Sequence, residues 1–156
     1  GQRQMCIRDR WYINTDITYA FSGGKVTGSY GDATAKAHAD TLYTAQDETD
    51  GKGTEGEVAT RGLKYNLIRD LKITVANELS KTDWYITRNT EKSTAIPSAI
   101  TNHRDAVRTK QVEMETLITN ASDTPALETL YTFVNTGTEE NPNMTRPLGV
   151  IPTLDI

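Results

Sequence analysis

At 156 residues and 17.3 kDa the chain has the length of one domain, with 36% hydrophobic and 24% charged residues and a mean hydropathy of −0.57. No stretch reaches the roughly 20 apolar residues that a membrane span needs. The net charge of −4 comes with no basic stripe, which argues against a nucleic-acid partner. A single Cys, Cys6, excludes a disulfide framework or a thiolate metal cluster. Thr supplies 25 of the 156 residues. It is β-branched and suits strands and caps, so helices here must be held by apolar stripes and not by propensity.

The first ten residues carry three Arg and one Asp, leaving 14 basic and 20 acidic residues, net −6, in the other 146. Gln4-Met5-Cys6-Ile7-Arg8-Asp9-Arg10 resembles the translation of a transposase sequencing adapter. That resemblance implies that residues 1–10 are an artefact or a disordered arm from a metagenomic read, with the natural N-terminus missing. Cys6 is set aside on this ground, and no apolar secretory core is visible.

Residues 11–31 read as a β-hairpin. Ile13, Thr15, Ile17, Tyr19 and Phe21 alternate with Asn14, Asp16, Thr18 and Ala20, the period of a strand with one apolar face. Ser22-Gly23-Gly24-Lys25 supplies the turn, and Val26, Gly28 and Tyr30 begin the return. Such a hairpin is marginal alone and must pack on a helix or join a partner's sheet.

Residues 32–135 read as a helical domain. Asp32 caps a helix over Ala33–Gln46, with Ala35, Ala39, Leu42 and Tyr43 on one side. Asp47–Gly56 is an acidic, Gly-rich linker. It fails as a calcium loop because Thr49 and Val58 stand where two ligands belong. The strongest helix spans Glu57–Ser80, with Leu67, Ile68, Leu71, Val75 and Leu79 as its stripe and Glu78 among the solvated charges. Lys81–Pro97 reads as an irregular turn. A second long helix covers Ser98–Asn120, where Ile100, Val107, Met114 and Ala121 recur every seven residues. Thr124 and Pro125 open a short third helix over Ala126–Val134. Asn135–Arg146 is a loop, and residues 136–156 end in an extended apolar tail that must dock or pair as an edge strand.

Little here has the spacing of a catalytic or metal site. Gly51-Lys52-Gly53 lacks the pattern of a phosphate loop. His38 and His103 are far apart, and Ala106 and Val107 occupy the places where a second ligand would follow His103. Asp70 and Glu78 read as solubilising acids. No catalytic residue, cofactor or metal is expected.

The segment Leu67–Arg108 resembles the bacteriophage tail assembly chaperone family. Arg69-Asp70 precede Leu79, Thr82-Asp83-Trp84 stand intact, and the second helix offers His103-Arg104-Asp105-Ala106-Val107-Arg108 in place of the family's Tyr-Arg-x-Ala-Leu-Arg core. His103 replaces the Tyr, and Thr87–Glu91 replaces the family's Asp-rich turn. The resemblance implies a protein without chemistry of its own that helps assemble a phage tail or tail fibre. It would act in the host cytoplasm through protein–protein contacts, with a virion structural component as the alternative and a homo-oligomer compatible with either.

Together these readings predict an α+β fold, mostly α. Its centre is an antiparallel helical hairpin over residues 57–120, accompanied by a short third helix and an N-terminal β-hairpin. Asp70, Thr82, Asp83, Trp84, Tyr85, His103, Arg104 and Arg108 are the structural or interaction candidates. Arg104 and Arg108 are expected to lock onto Asp83 or Asp70. Trp84 is expected to be a buried anchor against Leu71, Val75, Leu79 and Val107, with the interaction surface elsewhere.

Overall fold

The computed structural model describes residues 9–154. The adapter-like residues up to Arg8, Cys6 among them, and the last two residues of the tail lie outside the described residues. The fold is mixed α+β, with small antiparallel sheets beside its helices. The chain divides into two compact units: the described residues up to Leu63 with Ser122–Glu128, and Lys64–Ala121 with the described residues from Thr129 on.

In the first unit, β1 (Tyr12–Ile13) pairs with β4 (Thr34–Ala35), and β2 (Ile17–Ser22) with β3 (Lys25–Tyr30). β5 (Thr41–Leu42) pairs with β6 (Val58–Thr60). The hairpin turn is where the sequence places it. Gly23 and Gly24 both have positive φ, 58° and 74°, the conformation whose twist matches a two-residue hairpin. Its apolar face is not covered, however: Ile17, Tyr19, Phe21, Val26 and Tyr30 are all exposed.

The helix expected over Ala33–Gln46 is absent. That stretch is extended, and only α1 (Ala45–Thr49) is helical. Its backbone groups find partners elsewhere in the unit. Lys36 N–H donates to the Trp11 carbonyl at 2.9 Å, its carbonyl accepts from Thr124 Oγ1 at 2.6 Å, and the Ala37 carbonyl accepts from Leu63 N–H at 3.0 Å. The Ala-rich run had too little apolar surface to repay a helix against those pairings.

The long helix begins later than expected. Residues 57–62 lead through β6 to α2 (Leu63–Ser80). Asp40 accepts from Gly62 N–H at 2.8 Å and from Arg61 at 2.6 Å. Gly62 is also required sterically, because a Cβ there would collide with the Ala39 carbonyl. Trp11, which no sequence argument selected, is 2% exposed and is the buried Trp. The acidic linker is closed by its own charges: Thr44 and Asp47 form a capping box for α1, and Lys52 pairs with Asp47 and Asp50.

In the second unit, Leu67, Leu71 and Val75 of α2 are buried, as are Ile100, Val107, Met114 and Ile118 along α4 (Ser98–Asn120) and Ala121, the residue that caps its end. The seven-residue stripe of α4 is therefore core throughout. On α2 the stripe turns at its end, burying Glu78 and leaving Leu79 half-buried.

The supposed irregular turn contains a helix, α3 (Asp83–Lys92), closed by Ser93 in the left-handed region. The third helix, α5, runs Thr124–Tyr131 and is capped by Asp123, whose Oδ1 accepts from Ala126 N–H at 2.8 Å. Thr124 is its first residue and not its cap. β7 (Val134–Asn135) and β8 (Met144–Thr145) form a small ladder within the expected loop. The tail docks: Leu148 is buried and donates its N–H to the Leu130 carbonyl at 3.0 Å.

Candidate functional site

The C-terminus of α2 leaves carbonyls without intrahelical partners, and Arg104 of α4 meets one of them. Its Nη1 donates to the Leu79 carbonyl at 2.8 Å and to Thr82 Oγ1 at 2.7 Å, and pairs with Asp83 Oδ1 at 2.9 Å. Thr82 is fully buried, and its hydroxyl donates in turn to the Leu79 carbonyl at 3.0 Å. That bond explains why Thr82, the residue before α3, gives no side-chain cap to that helix. A guanidinium at a helix C-terminus also meets the negative end of the helix dipole. Asp83, exposed in the first turn of α3, sits at the favourable positive end of its own helix.

One residue before Arg104, His103 Nε2 lies 3.2 Å from Glu78 Oε1. Glu78 also accepts from Lys81 Nζ at 2.6 Å and from Leu154 N–H at 3.0 Å. The Lys81 hydrogen bond is the main force holding the Glu78 carboxyl below its ordinary range, against burial, which pushes it up. With three donors bound, this carboxylate is a tether for the tail. Sequence reasoning placed Glu78 among solvated acids. The available signal was its position seven residues after Leu71, on the continuation of the buried stripe.

Trp84 departs from expectation. It is 49% exposed, so it is not the buried anchor. Its ring lies 3.7 Å, centroid to centroid, from that of Tyr85, tilted by 31°. The Arg88 guanidinium sits 5.0 Å from the Trp84 centroid and 5.8 Å from that of Tyr85. Trp84 stands in the first turn of α3, and the buried residues at this end are Thr82 and Arg104.

The structure brings Thr82, Asp83 and Arg104 together, with Trp84 exposed and Tyr85 half-buried next to them. Asp70 and Arg108 do not join. Asp70 pairs with Arg69 at 3.0 Å, and Arg108 with Asp105 at 3.4 Å, both on exposed surface. Among the described residues no group of three or more His, Cys, Asp or Glu could hold a metal ion, and no helix is long and apolar enough to cross a membrane. Comparison of the chain with family models, curated proteins and solved structures finds no match.

Proposed function

We propose that this chain is a non-enzymatic, tail-assembly-chaperone-like phage protein that acts by protein–protein contact in the host cytoplasm while a tail or tail fibre is built. One observation carries the reading. The two motif halves that suggested the family, Thr82-Asp83-Trp84 and the Arg104-containing helix, are joined by Arg104 hydrogen-bonded to Thr82 and paired with Asp83.

An antiparallel helical hairpin belongs to the same reading. It is supported by links that join the start of α2 to the end of α4 and the end of α2 to the start of α4. Lys64 Nζ donates to the Thr119 carbonyl, Lys72 lies 3.8 Å from Glu115, Glu78 meets His103, and Leu79 meets Arg104. In this arrangement Thr82 and Arg104 hold the turn, with Trp84 exposed beside the half-buried Tyr85 and Arg88. Two aromatic rings under a guanidinium make a contact patch suited to a protein partner, since Trp, Tyr and Arg dominate binding hot spots. The commitment of Glu78, the buried carboxylate among the described residues, to three donors supports a structural role for it over acid–base work.

The test is co-expression with tail and tail-fibre proteins from neighbouring genes, beside mass spectrometry of purified virions. A chaperone is captured by a tail protein and is missing from the particle. Stoichiometric presence in the particle would make it a virion component instead, and failure of any tail protein to bind would overturn the reading.

A further inference from the structure

The β2–β3 ribbon separates its side chains by chemistry. The register Ile17↔Tyr30, Tyr19↔Gly28 and Phe21↔Val26 puts every large apolar side chain on one face. The pairs Thr18↔Ser29, Ala20↔Thr27 and Ser22↔Lys25 make the other face small and polar. On that second face Thr18 Oγ1 donates to the Ser29 carbonyl and Thr27 Oγ1 to the Ala20 carbonyl, so it is built to meet water. The apolar face meets water too: Tyr19 is 72% exposed, Phe21 74%, Val26 66%, Tyr30 50% and Ile17 39%. The two strands hydrogen-bond only to each other within their sheet.

We propose that this face is covered by the same face of a second copy of the chain, in a two-fold dimer built on the ribbons. The area fits that occupant. With about 200 Å² for a whole aromatic side chain and about 100 Å² for an aliphatic one, the five residues leave roughly 500 Å² per copy in water. Two such faces closing on each other remove roughly 1,000 Å², the lower bound for a specific interface. A contiguous exposed apolar patch of this size is often functional. Electrostatics points the same way. The chain is acidic, net −4, yet this face holds no charged side chain, and Lys25 lies on the opposite one. It is therefore a place where two like-charged copies can meet without burying like charges against each other. A two-fold contact needs a surface complementary to itself, and an uncharged apolar ribbon meets that condition. Ribbon-on-ribbon packing follows the geometry of stacked sheets, with inner side chains interdigitating. The inference stands on the ribbon alone and is independent of the chaperone reading.

Sedimentation velocity on the full chain tests it. The parent should shift with concentration from 17.3 kDa toward twice that mass. Phe21→Lys should remain a monomer, while Ala20→Lys, on the polar face, should dimerise like the parent. Both side chains are exposed in the single copy, so neither change should alter the circular dichroism spectrum; Ala20→Lys should melt like the parent, and Phe21→Lys like the parent diluted to monomer. A parent that stays monomeric at every concentration overturns the proposal and leaves the face to a different partner. A Phe21→Lys chain that still dimerises, or an Ala20→Lys chain that does not, overturns it as well.

Discussion

Arg104→Ala removes three interactions that differ in worth. The pair with Asp83 contributes little, because that carboxylate is mostly solvated and rehydrates when released. The Leu79 carbonyl keeps two donors, the Thr82 N–H at 3.1 Å and the Thr82 hydroxyl at 3.0 Å. The loss concentrates on the buried Thr82 oxygen, which gives up a charged donor, and on the packing of the Arg stem. A charge-assisted hydrogen bond is worth about 1.5–3 kcal/mol. Breaking a fully buried pair costs about 3–5 kcal/mol, a figure that exposure of Asp83 reduces here. The expected cost is therefore about 2–3 kcal/mol, roughly 4–12 °C in melting temperature for a chain of this size.

Urea unfolding of Arg104→Ala, Thr82→Val, their double variant and Asp83→Ala measures this. Asp83→Ala should cost under about 1 kcal/mol. Arg104→Ala and Thr82→Val should be non-additive by about 0.5–3 kcal/mol, because each removes the same bond. If Asp83→Ala costs as much as Arg104→Ala, or if the first two variants add, the buried hydrogen bond is not what joins α2, α3 and α4.

Two further predictions use the same core and its tether. Ile118→Ala should cost about 2–5 kcal/mol, because that side chain is fully buried. Leu117→Ala, at a partly exposed neighbouring position, should cost far less by the same denaturation assay. The Glu78 carboxyl is lowered from its ordinary value by Lys81 and by the Leu154 and His103 contacts. Its contribution is therefore complete above the ordinary Glu range and disappears as pH falls through the lower, folded-state value. Hydrogen exchange at the Leu154 amide should show a protection factor that is constant from neutral pH down to about pH 4.5 and falls in stronger acid. A factor that fell as pH rose through that window would contradict the assignment of Glu78 as the tail's tether.

Periodicity was most informative where one face of a long element meets the core. Ile100, Val107, Met114 and Ala121 lie on a seven-residue repeat, and all four are buried. The Gly23-Gly24 turn was legible for a different reason, since two successive positive φ angles leave few residue choices. Reading failed where long-range pairing decides. Nothing local in Ala33–Gln46 announces that Lys36 and Ala37 will bond to Trp11, Thr124 and Leu63. Large apolar residues also misled. Trp84 follows a strong amphipathic helix and invites a core role, but the chain buries Trp11 and exposes Trp84. The missing information is three-dimensional: the buried positions at this turn go to Thr82 and Arg104, which hydrogen-bond each other. Of the eight candidates, Thr82, Asp83 and Arg104 converge, His103 turns to Glu78, and Asp70 and Arg108 stay on the surface.

The central claim is that the buried Thr82–Arg104 bond holds this turn, so that Trp84 serves contact and not stability. Trp84→Ala addresses it directly, by thermal unfolding of the variant beside its capture of the tail protein that the parent binds. At 49% exposure the indole gives up less than the roughly 3–5 kcal/mol of a buried aromatic. The account predicts a melting temperature within a few degrees of the parent and loss of capture. A variant that melts far below the parent, or one that melts like it and still captures the tail protein, would contradict the account.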